Sequence, residues 1–221
     1  MRRGASCNVC ASVTADVSGH AQGSTHTRLD IPLFPLNAVL FPGGELTLRI
    51  FERRYLDLVR DCARSGAGFG VCLILDGIES GERAAPATVG TLANISDFYT
   101  MPDGLLGIRA TGSARFRVST LRVRDNGLMH GQVRYWPDEP VVAVPAEFLL
   151  LATILERLLE RVGGAHSKAP RGRLDDASWI GFRLAELLPL AVDERQHLLQ
   201  ITDPVERLAA LMTALPRFQK A

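Results

Sequence analysis

The fold is decided by the stretch IPLFPLNAVLFPGGELTLRIFERRY, residues 31–55, which joins two extended apolar segments through a Pro-Gly-Gly turn and then enters a helix. Its three prolines fix φ and remove backbone donors, which predicts that the first segment is an edge or irregular strand. From Glu45 the stretch alternates leucine and isoleucine with threonine, arginine and phenylalanine, a pattern typical of a half-buried strand. Glu52 then opens the helix.

The helix is predicted from Glu52 to about Ser65. Apolar residues recur in it at helical spacing and give it one face that should pack on the sheet: Phe51, Tyr55, Leu58, Val59 and Cys62. The sequence GAGFG that follows resembles a dinucleotide-binding loop, but it comes after a helix and before a strand, the reverse of that motif. These glycines are therefore expected to end the helix.

Residues 88–136 have the pattern of two β-hairpins. The predicted strands are 88–100 with 105–110, and 114–124 with 128–136. Pro-Asp-Gly marks the first turn, and Asp125-Asn126-Gly127 is a strong signal for the second. We therefore expect residues 29–136 to be mainly antiparallel β-structure with one helix.

Prolines between residues 137 and 145 mark a change from strand to helix patterns. The first predicted helix, 146–162, is apolar on more than one face and should pack on both the sheet and other helices. Three shorter helices follow, at 176–188, about 192–200, and 203–215. The sequence thus predicts an α+β protein with a flexible leader (1–28), a β-domain (29–140) and a helical bundle (141–221).

Several motifs together carry a family resemblance. The strings P-L-F-P-L-N-x-V-L-F-P-G-G and L-R-I-F-E-x-R-Y resemble the opening of the Lon N-terminal (LON substrate-binding) domain, in its small stand-alone form. Further pieces agree in the same order: GTLANI at 90–95, GSARFRV at 112–118, WIGFRLAELLPL at 179–190 and ERQHLL at 194–199. The resemblance implies a PUA-like β-pseudobarrel followed by a helical bundle, and recognition of polypeptide substrates.

Composition narrows the function classes. Of the 221 residues, 47% are hydrophobic and 22% charged, which is typical of a globular protein, and a net charge of +1 gives no general attraction for nucleic acid or acidic membranes. The four cysteines are too few and too scattered for a disulfide framework. No apolar run approaches the ~20 residues that span a bilayer. We expect a cytoplasmic protein with no membrane partner.

The leader contains one spacing that resembles a zinc-ligand set, Cys7-x2-Cys10 followed by His20-x5-His26. The segment between the two pairs has no aromatic residue or leucine to build the small core of a zinc finger. We therefore predict no metal and no cofactor. A flexible leader is favoured, and a misassigned start codon would also explain the segment.

The residues of Lon catalysis are absent from the sequence. No Gly-Lys pair occurs, so the phosphate-binding loop of an ATPase cannot form. The lysines are Lys168 and Lys220, and Ser167 is a chain neighbour of Lys168 in a loop, where a nucleophile and its base cannot be held in place. Cys62 and Cys72 lie in apolar segments and are predicted to be small, buried hydrophobic residues. The sequence predicts a non-catalytic recognition module.

Arg54 and Tyr55 are the candidate ligand-binding residues. Arginine and tyrosine are enriched at binding hot spots, and the two side chains could line a cleft between the barrel and the helices that binds an extended polypeptide. The helix register places Tyr55 on the apolar face, which favours a structural role.

An arginine-rich β-face supports an alternative function, RNA or other nucleic-acid binding. Strand alternation is expected to turn four of its arginines toward water, where they could contact phosphates: Arg115, Arg117, Arg122 and Arg124. The simpler interpretation, which we favour, is a solvated sheet face whose arginines pair with acids such as Asp97 or Glu45.

Overall fold

The structure, a computed structural model, describes residues 29–76 and 85–218. Its strands are β1 (Leu29–Leu36), β2 (Glu45–Ile50), β3 (Phe69–Asp76), β4 (Ala85–Thr100), β5 (Leu106–Val123) and β6 (Met129–Tyr135). Its helices are α1 (Arg53–Ser65), α2 (Leu149–Val162), α3 (Ala177–Leu187), α4 (Val192–Gln200) and α5 (Pro204–Ala214). The predicted α+β class is confirmed, while the leader and its zinc-like spacing lie outside the described residues.

The strands form one six-stranded sheet in the order β2-β5-β4-β3-β1-β6. β6 also pairs with β5, which closes most of the sheet into a barrel. β1 and β3 are parallel and the other pairs are antiparallel. The predicted, mainly antiparallel β-barrel is therefore confirmed.

β1 is an irregular strand, one of the two forms predicted for it, because its two halves pair with different strands. Residues 29–32 pair with β6 and residues 33–36 pair with β3, so the strand lies inside the sheet. Among the strands that the structure describes, each half is paired on one side only. A proline has no N–H group to donate, so its nitrogen can face the side of the strand that lacks a partner. The two prolines of β1 are therefore compatible with its place between β3 and β6.

The two predicted strands 105–110 and 114–124 are one continuous strand, β5. Gly112 lies at the expected break and packs directly on the Pro-Gly-Gly turn, where a Cβ atom would meet the carbonyl oxygen of Phe41 at 2.3 Å. Its amide donates to the Gly44 carbonyl at 2.9 Å, and the Gly43 amide donates to the Gly112 carbonyl at 2.8 Å. This glycine permits a close approach without interrupting the strand.

Helix α1 buries the predicted face against the sheet, through Tyr55, Leu58, Val59 and Cys62. It ends at Gly66, which has φ of 69° and donates its amide to the Cys62 carbonyl at 2.9 Å. Phe51 is a correction. It precedes the N-cap Glu52 and is 60% exposed, because it lies outside the helical turn whose register would have buried it.

The helices α2–α5 form a second core beside the barrel, with α3 packed between α2 and α5. Helix α2 buries Leu151, Leu155 and Leu159 on one face, but Leu149 is 54% exposed and Leu150 51% exposed. The helix was predicted to pack on both the sheet and other helices. Its buried leucines lie in the helical core with α3, and Ile154 and Leu158 are partly buried against the same core.

Candidate functional site

A groove of about 290 Å³ lies where the barrel is left open between β1 and β2. Its lining residues come from β1, β2 and the start of α1: Phe34, Leu36, Thr47, Leu48, Arg49, Phe51, Glu52 and Tyr55. Three of them are consecutive in β2, where side chains alternate between the two faces of the sheet. The groove therefore runs along the edge of this strand.

Among residues 29–76 and 85–218, that edge of β2 has no strand partner. Within the same residues, β2 stands last in the sheet order and pairs only with β5, over all six of its residues. Residues 33–36 of β1 likewise pair only with β3 among the described strands. In the part of the chain that the structure describes, an extended backbone can therefore approach β2 without displacing another strand.

The floor of the groove is a fixed aromatic stack. The rings of Phe34 and Tyr55 lie 3.9 Å apart with their planes inclined by 11°, and Tyr55 is only 5% exposed. The Arg54 guanidinium lies over the Tyr55 ring at 4.7 Å from its centroid. Arg54 also contacts the Glu52 carboxylate at 2.8 Å and donates to the Gly127 carbonyl at 3.1 Å. The structure therefore places Tyr55 in the lining and Arg54 behind it, as its support.

The rim of the groove combines an exposed ring with paired charges. Phe51 projects into solvent beside the opening, and sequence reasoning missed it because the helical pattern had assigned it to a buried face. Its place immediately before the N-cap Glu52 is the signal that could have found it. Arg49 pairs with Asp103 at 2.6 Å. Arg49 and Glu52 are each paired with an opposite charge, so the groove has little net charge. What it presents to a ligand is apolar surface and a strand edge.

Arg115 does not belong to an exposed basic face, which corrects the prediction for this residue. It is 5% exposed and donates to the carbonyls of Leu199 at 2.8 Å and Ile201 at 2.6 Å. It also binds the carboxylate of Glu139, which Arg207 binds from α5. Burial lowers the pKa of Arg115 to about 10, so it stays charged at neutral pH. The carbonyl end of α4 covers this part of β5, and strand alternation cannot reveal that cover.

The other predicted arginines of the β-face are exposed. Arg122 forms an ion pair with Asp30, and Arg124 lies at the neighbouring turn. Arg117 lies directly opposite Arg134 on β6, and its guanidinium is 5.8 Å from the Trp136 ring centroid. The face is thus partly neutralised and lacks Arg115.

The described cysteines are unsuited to nucleophilic chemistry. Cys62 and Cys72 are both buried, and burial raises the pKa of the Cys62 thiol to about 11 and that of Cys72 to about 12. Both are therefore protonated at neutral pH, and a thiol is a much weaker nucleophile than a thiolate. Within residues 29–76 and 85–218, no three metal-ligating side chains lie together, and no helix is long and apolar enough to cross a membrane.

Comparison with known proteins agrees with this architecture. The family model for the ATP-dependent protease La (LON) substrate-binding domain matches residues 30–217. A Lon N-terminal domain protein from Xanthomonas campestris has a solved structure that is 49% identical, with a TM-score of 0.71, and the match covers 84% of this chain and 98% of that one. The N-terminal domain of Mycobacterium avium complex Lon protease, 17% identical with a TM-score of 0.62, shares the fold over 84% of this chain and 97% of that one.

Two curated relatives are longer proteins. The Lon protease of Anaeromyxobacter dehalogenans is 28% identical over 195 residues, which are 85% of this chain and 23% of the protease. A LON peptidase N-terminal domain and RING finger protein of Schizosaccharomyces pombe is 24% identical over 224 residues, a match covering 86% of this chain and 46% of that protein. The chain thus spans less than half of either relative. On the family match over residues 30–217, it belongs to the LON substrate-binding domain family.

Proposed function

We propose that the protein recognises extended polypeptide segments in the groove between β1 and β2. The observation that carries this proposal is the edge of β2, which has no strand partner among the described residues and runs along a groove beside Thr47, Leu48 and Arg49. The match to a substrate-binding family supports a ligand that is itself a polypeptide. We also propose that the module is not catalytic and that it acts in the cytoplasm, as its cysteine usage indicates.

Recognition would combine a backbone component and a side-chain component. The bound segment adds a strand to β2, and its main-chain amides and carbonyls pair with those left free along the edge. One large apolar side chain of the segment then rests on the Phe34–Tyr55 stack, with Phe51 against its exposed side. Main-chain pairing is largely independent of sequence, so such a site suits segments that unfolded proteins expose.

The test is a titration of the full-length protein with a fluorescently labelled, unfolded peptide that is rich in leucine and phenylalanine. We expect Phe51→Ser to weaken binding by about ten- to a hundredfold, since burying a Phe side chain contributes about 1.5–3 kcal/mol. Phe98→Ser is the matched control, because Phe98 is similarly exposed but lies two strands away from β2 and outside the groove. Equal affinities of the two variants would contradict the proposal.

Nucleic-acid binding on the β-face remains the alternative. Its support is the exposed pair Arg117 and Arg134, which lie opposite each other without an ion-pair partner among the described residues. It is weaker because Arg115 is buried and Arg122 is paired with Asp30. Titration at two salt concentrations separates the alternatives, since phosphate binding weakens steeply with salt and apolar peptide binding does not.

A further inference from the structure

A second cavity, of about 200 Å³, lies among the helices. One wall is the second half of α2, and the opposite wall is the chain between α2 and α3, which forms two short 3-10 helices, Ala165–Lys168 and Arg171–Asp175. Trp179 of α3 completes the lining. The cavity shares no lining residue with the groove between β1 and β2. A ligand bound here would therefore not compete directly with a polypeptide in the groove.

The apolar part of the wall is anchored in the helical core. Leu159 is 7% exposed and belongs to that core, against which the half-buried Leu174 and Trp179 also pack. Ala169 and Pro170 add further apolar surface. Because these side chains are held by the core behind them, the cavity presents a fixed apolar surface to a ligand.

Five polar side chains also line the cavity, and two of them already have partners within the chain. The His166 Nε2 atom lies 2.6 Å from Nη1 of Arg183, and the Ser167 hydroxyl donates to the Gly164 carbonyl at 2.8 Å. Burial, reinforced by Arg183, lowers the pKa of His166, so its ring is neutral at pH 7 and adds no charge to the wall. The charged groups left for a ligand are therefore those of Glu156, Glu160 and Arg171.

These three charged groups form no ion pair with one another. Glu156 and Glu160 lie one turn apart on α2, a spacing at which like charges repel. Arg171 faces the same small space from the other wall, yet neither glutamate forms an ion pair with it or with any other described residue. Two carboxylates on one side of a cavity and a guanidinium on the other complement a molecule that carries both an ammonium and a carboxylate group.

We propose that this cavity binds a free α-amino acid with a branched apolar side chain, leucine being the simplest example. The ammonium group lies against Glu156 and Glu160, and Arg171 binds the carboxylate, for which the guanidinium offers two parallel N–H groups. The side chain rests on the apolar wall. The size agrees, because a cavity of about 150 Å³ holds one benzene molecule and leucine is somewhat larger.

The main-chain charges distinguish this ligand from the one proposed for the groove. A residue inside a polypeptide has neutral amides in place of the ammonium and the carboxylate, so it could satisfy neither wall of the cavity. The site therefore selects the free amino acid over the same residue within a chain.

The test compares leucine with two molecules of similar shape that each lack one charge. Isopentylamine has no carboxylate, and isocaproate has no ammonium group. Each is titrated into the ¹⁵N-labelled full-length protein while the Ser167 amide and the Trp179 indole N–H are followed by NMR. The chain has two tryptophans, so Trp179→Phe assigns the indole signal by its loss.

We expect leucine at millimolar concentrations to shift both signals. Isopentylamine should bind about fivefold more weakly, since it loses one partly exposed ion pair. Isocaproate should bind about tenfold more weakly, because it loses the ammonium group and is repelled by two glutamates.

Substitutions assign each charge to its wall. Arg171→Gln should abolish the preference for leucine over isopentylamine, and the double variant Glu156→Gln with Glu160→Gln should abolish the preference over isocaproate. Arg173→Gln is the control, because Arg173 is exposed on the same short helix as Arg171 but does not line the cavity. This variant should retain both preferences.

Three results would overturn the proposal: no shift with leucine, shifts confined to other regions, or leucine binding no better than either analogue. Isopentylamine binding as well as leucine would mean that the cavity recognises cations alone. An Arg171→Gln protein that still prefers leucine over isopentylamine would equally contradict the assigned role of this residue. None of these results affects the polypeptide titration, since the two sites have no residue in common.

Discussion

Tyr55 of α1 lies face to face with Phe34 of β1, at 3.9 Å between ring centroids, and so joins the first helix to the sheet at the floor of the groove. We predict that Tyr55→Ala lowers the free energy of unfolding by about 3 kcal/mol, as deletion of a buried aromatic ring does. Tyr55→Leu keeps most of the volume and loses the stack, so about half of that loss is expected. Urea denaturation measures both. A loss below about 0.5 kcal/mol for the alanine variant would contradict the packing described.

Glu139 is predicted to be a major source of stability between sheet and helices. Its carboxylate is the acidic partner of Arg115 and Arg207, both of which are buried. Glu139→Gln removes that charge and should cost about 3–5 kcal/mol, as breaking a buried ion pair does. Asp103→Asn is the control. It breaks the exposed pair with Arg49 and should cost less than about 1 kcal/mol in the same denaturation experiment.

The cluster of Arg115, Glu139 and Arg207 links the two proposed units, residues 29–140 and residues 141–221. We expect the two units to unfold together, because Arg115 of β5 and Arg207 of α5 share one carboxylate. Native-state hydrogen exchange measures the opening free energies of sheet amides and helix amides in one sample. Similar opening free energies for β5 and α3 are the expected result. An α3 that opens far more easily than β5 would indicate independent domains.

Strand addition at β2 predicts an alternating requirement for peptide amides. In an extended segment, successive backbone amides point to opposite sides, so only every second one can pair with β2. Methylation of the peptide nitrogen at those positions should weaken binding, and methylation at the intervening positions should not. A series of singly methylated peptides in the fluorescence titration measures this effect. Uniform sensitivity along the peptide would indicate binding by side chains alone.

The buried thiols predict a loss of stability at alkaline pH. Burial raises the pKa of Cys62 to about 11 from an ordinary value of 9.0, so the unfolded chain releases this proton first. The contribution to stability is complete below about pH 9 and declines as pH rises from there toward 11. Denaturation of Cys62→Ala and the unsubstituted protein at pH 8 and pH 10 measures it. The alanine variant should lose less stability between the two pH values, and an equal loss would contradict the burial of this thiol.

The sequence predicted those elements whose cause is local. The alternation in Glu45–Ile50 yields β2, and the acid-proline start at Asp203 yields α5, where the Asp203 carboxylate accepts the Val205 amide at 2.9 Å. Each pattern depends on residues that are near one another in the chain. For such elements, periodicity and capping chemistry were sufficient.

Features that depend on distant contacts could not be predicted in the same way. Nothing near Pro32 reveals that β6 pairs beside it, and the alternation around Arg115 does not show that the end of α4 covers this side chain. The candidate site was found only in part for the same reason. Tyr55 was singled out from its residue type, whereas Phe51 joins the groove because the chain leaves β2 one residue before the helix cap.

The edge of β2 at the opening of the barrel is also a site where the protein can aggregate. A strand edge that accepts a foreign segment can equally accept the same strand of a second copy, which is how sheets aggregate. β2 has only six residues, and Glu45 and Arg49 place opposite charges near its two ends. Short length and charged side chains are the usual protection of such edges. The same six residues limit the number of main-chain hydrogen bonds that the proposed polypeptide ligand could form, so the protection against aggregation also limits the length of a bound segment.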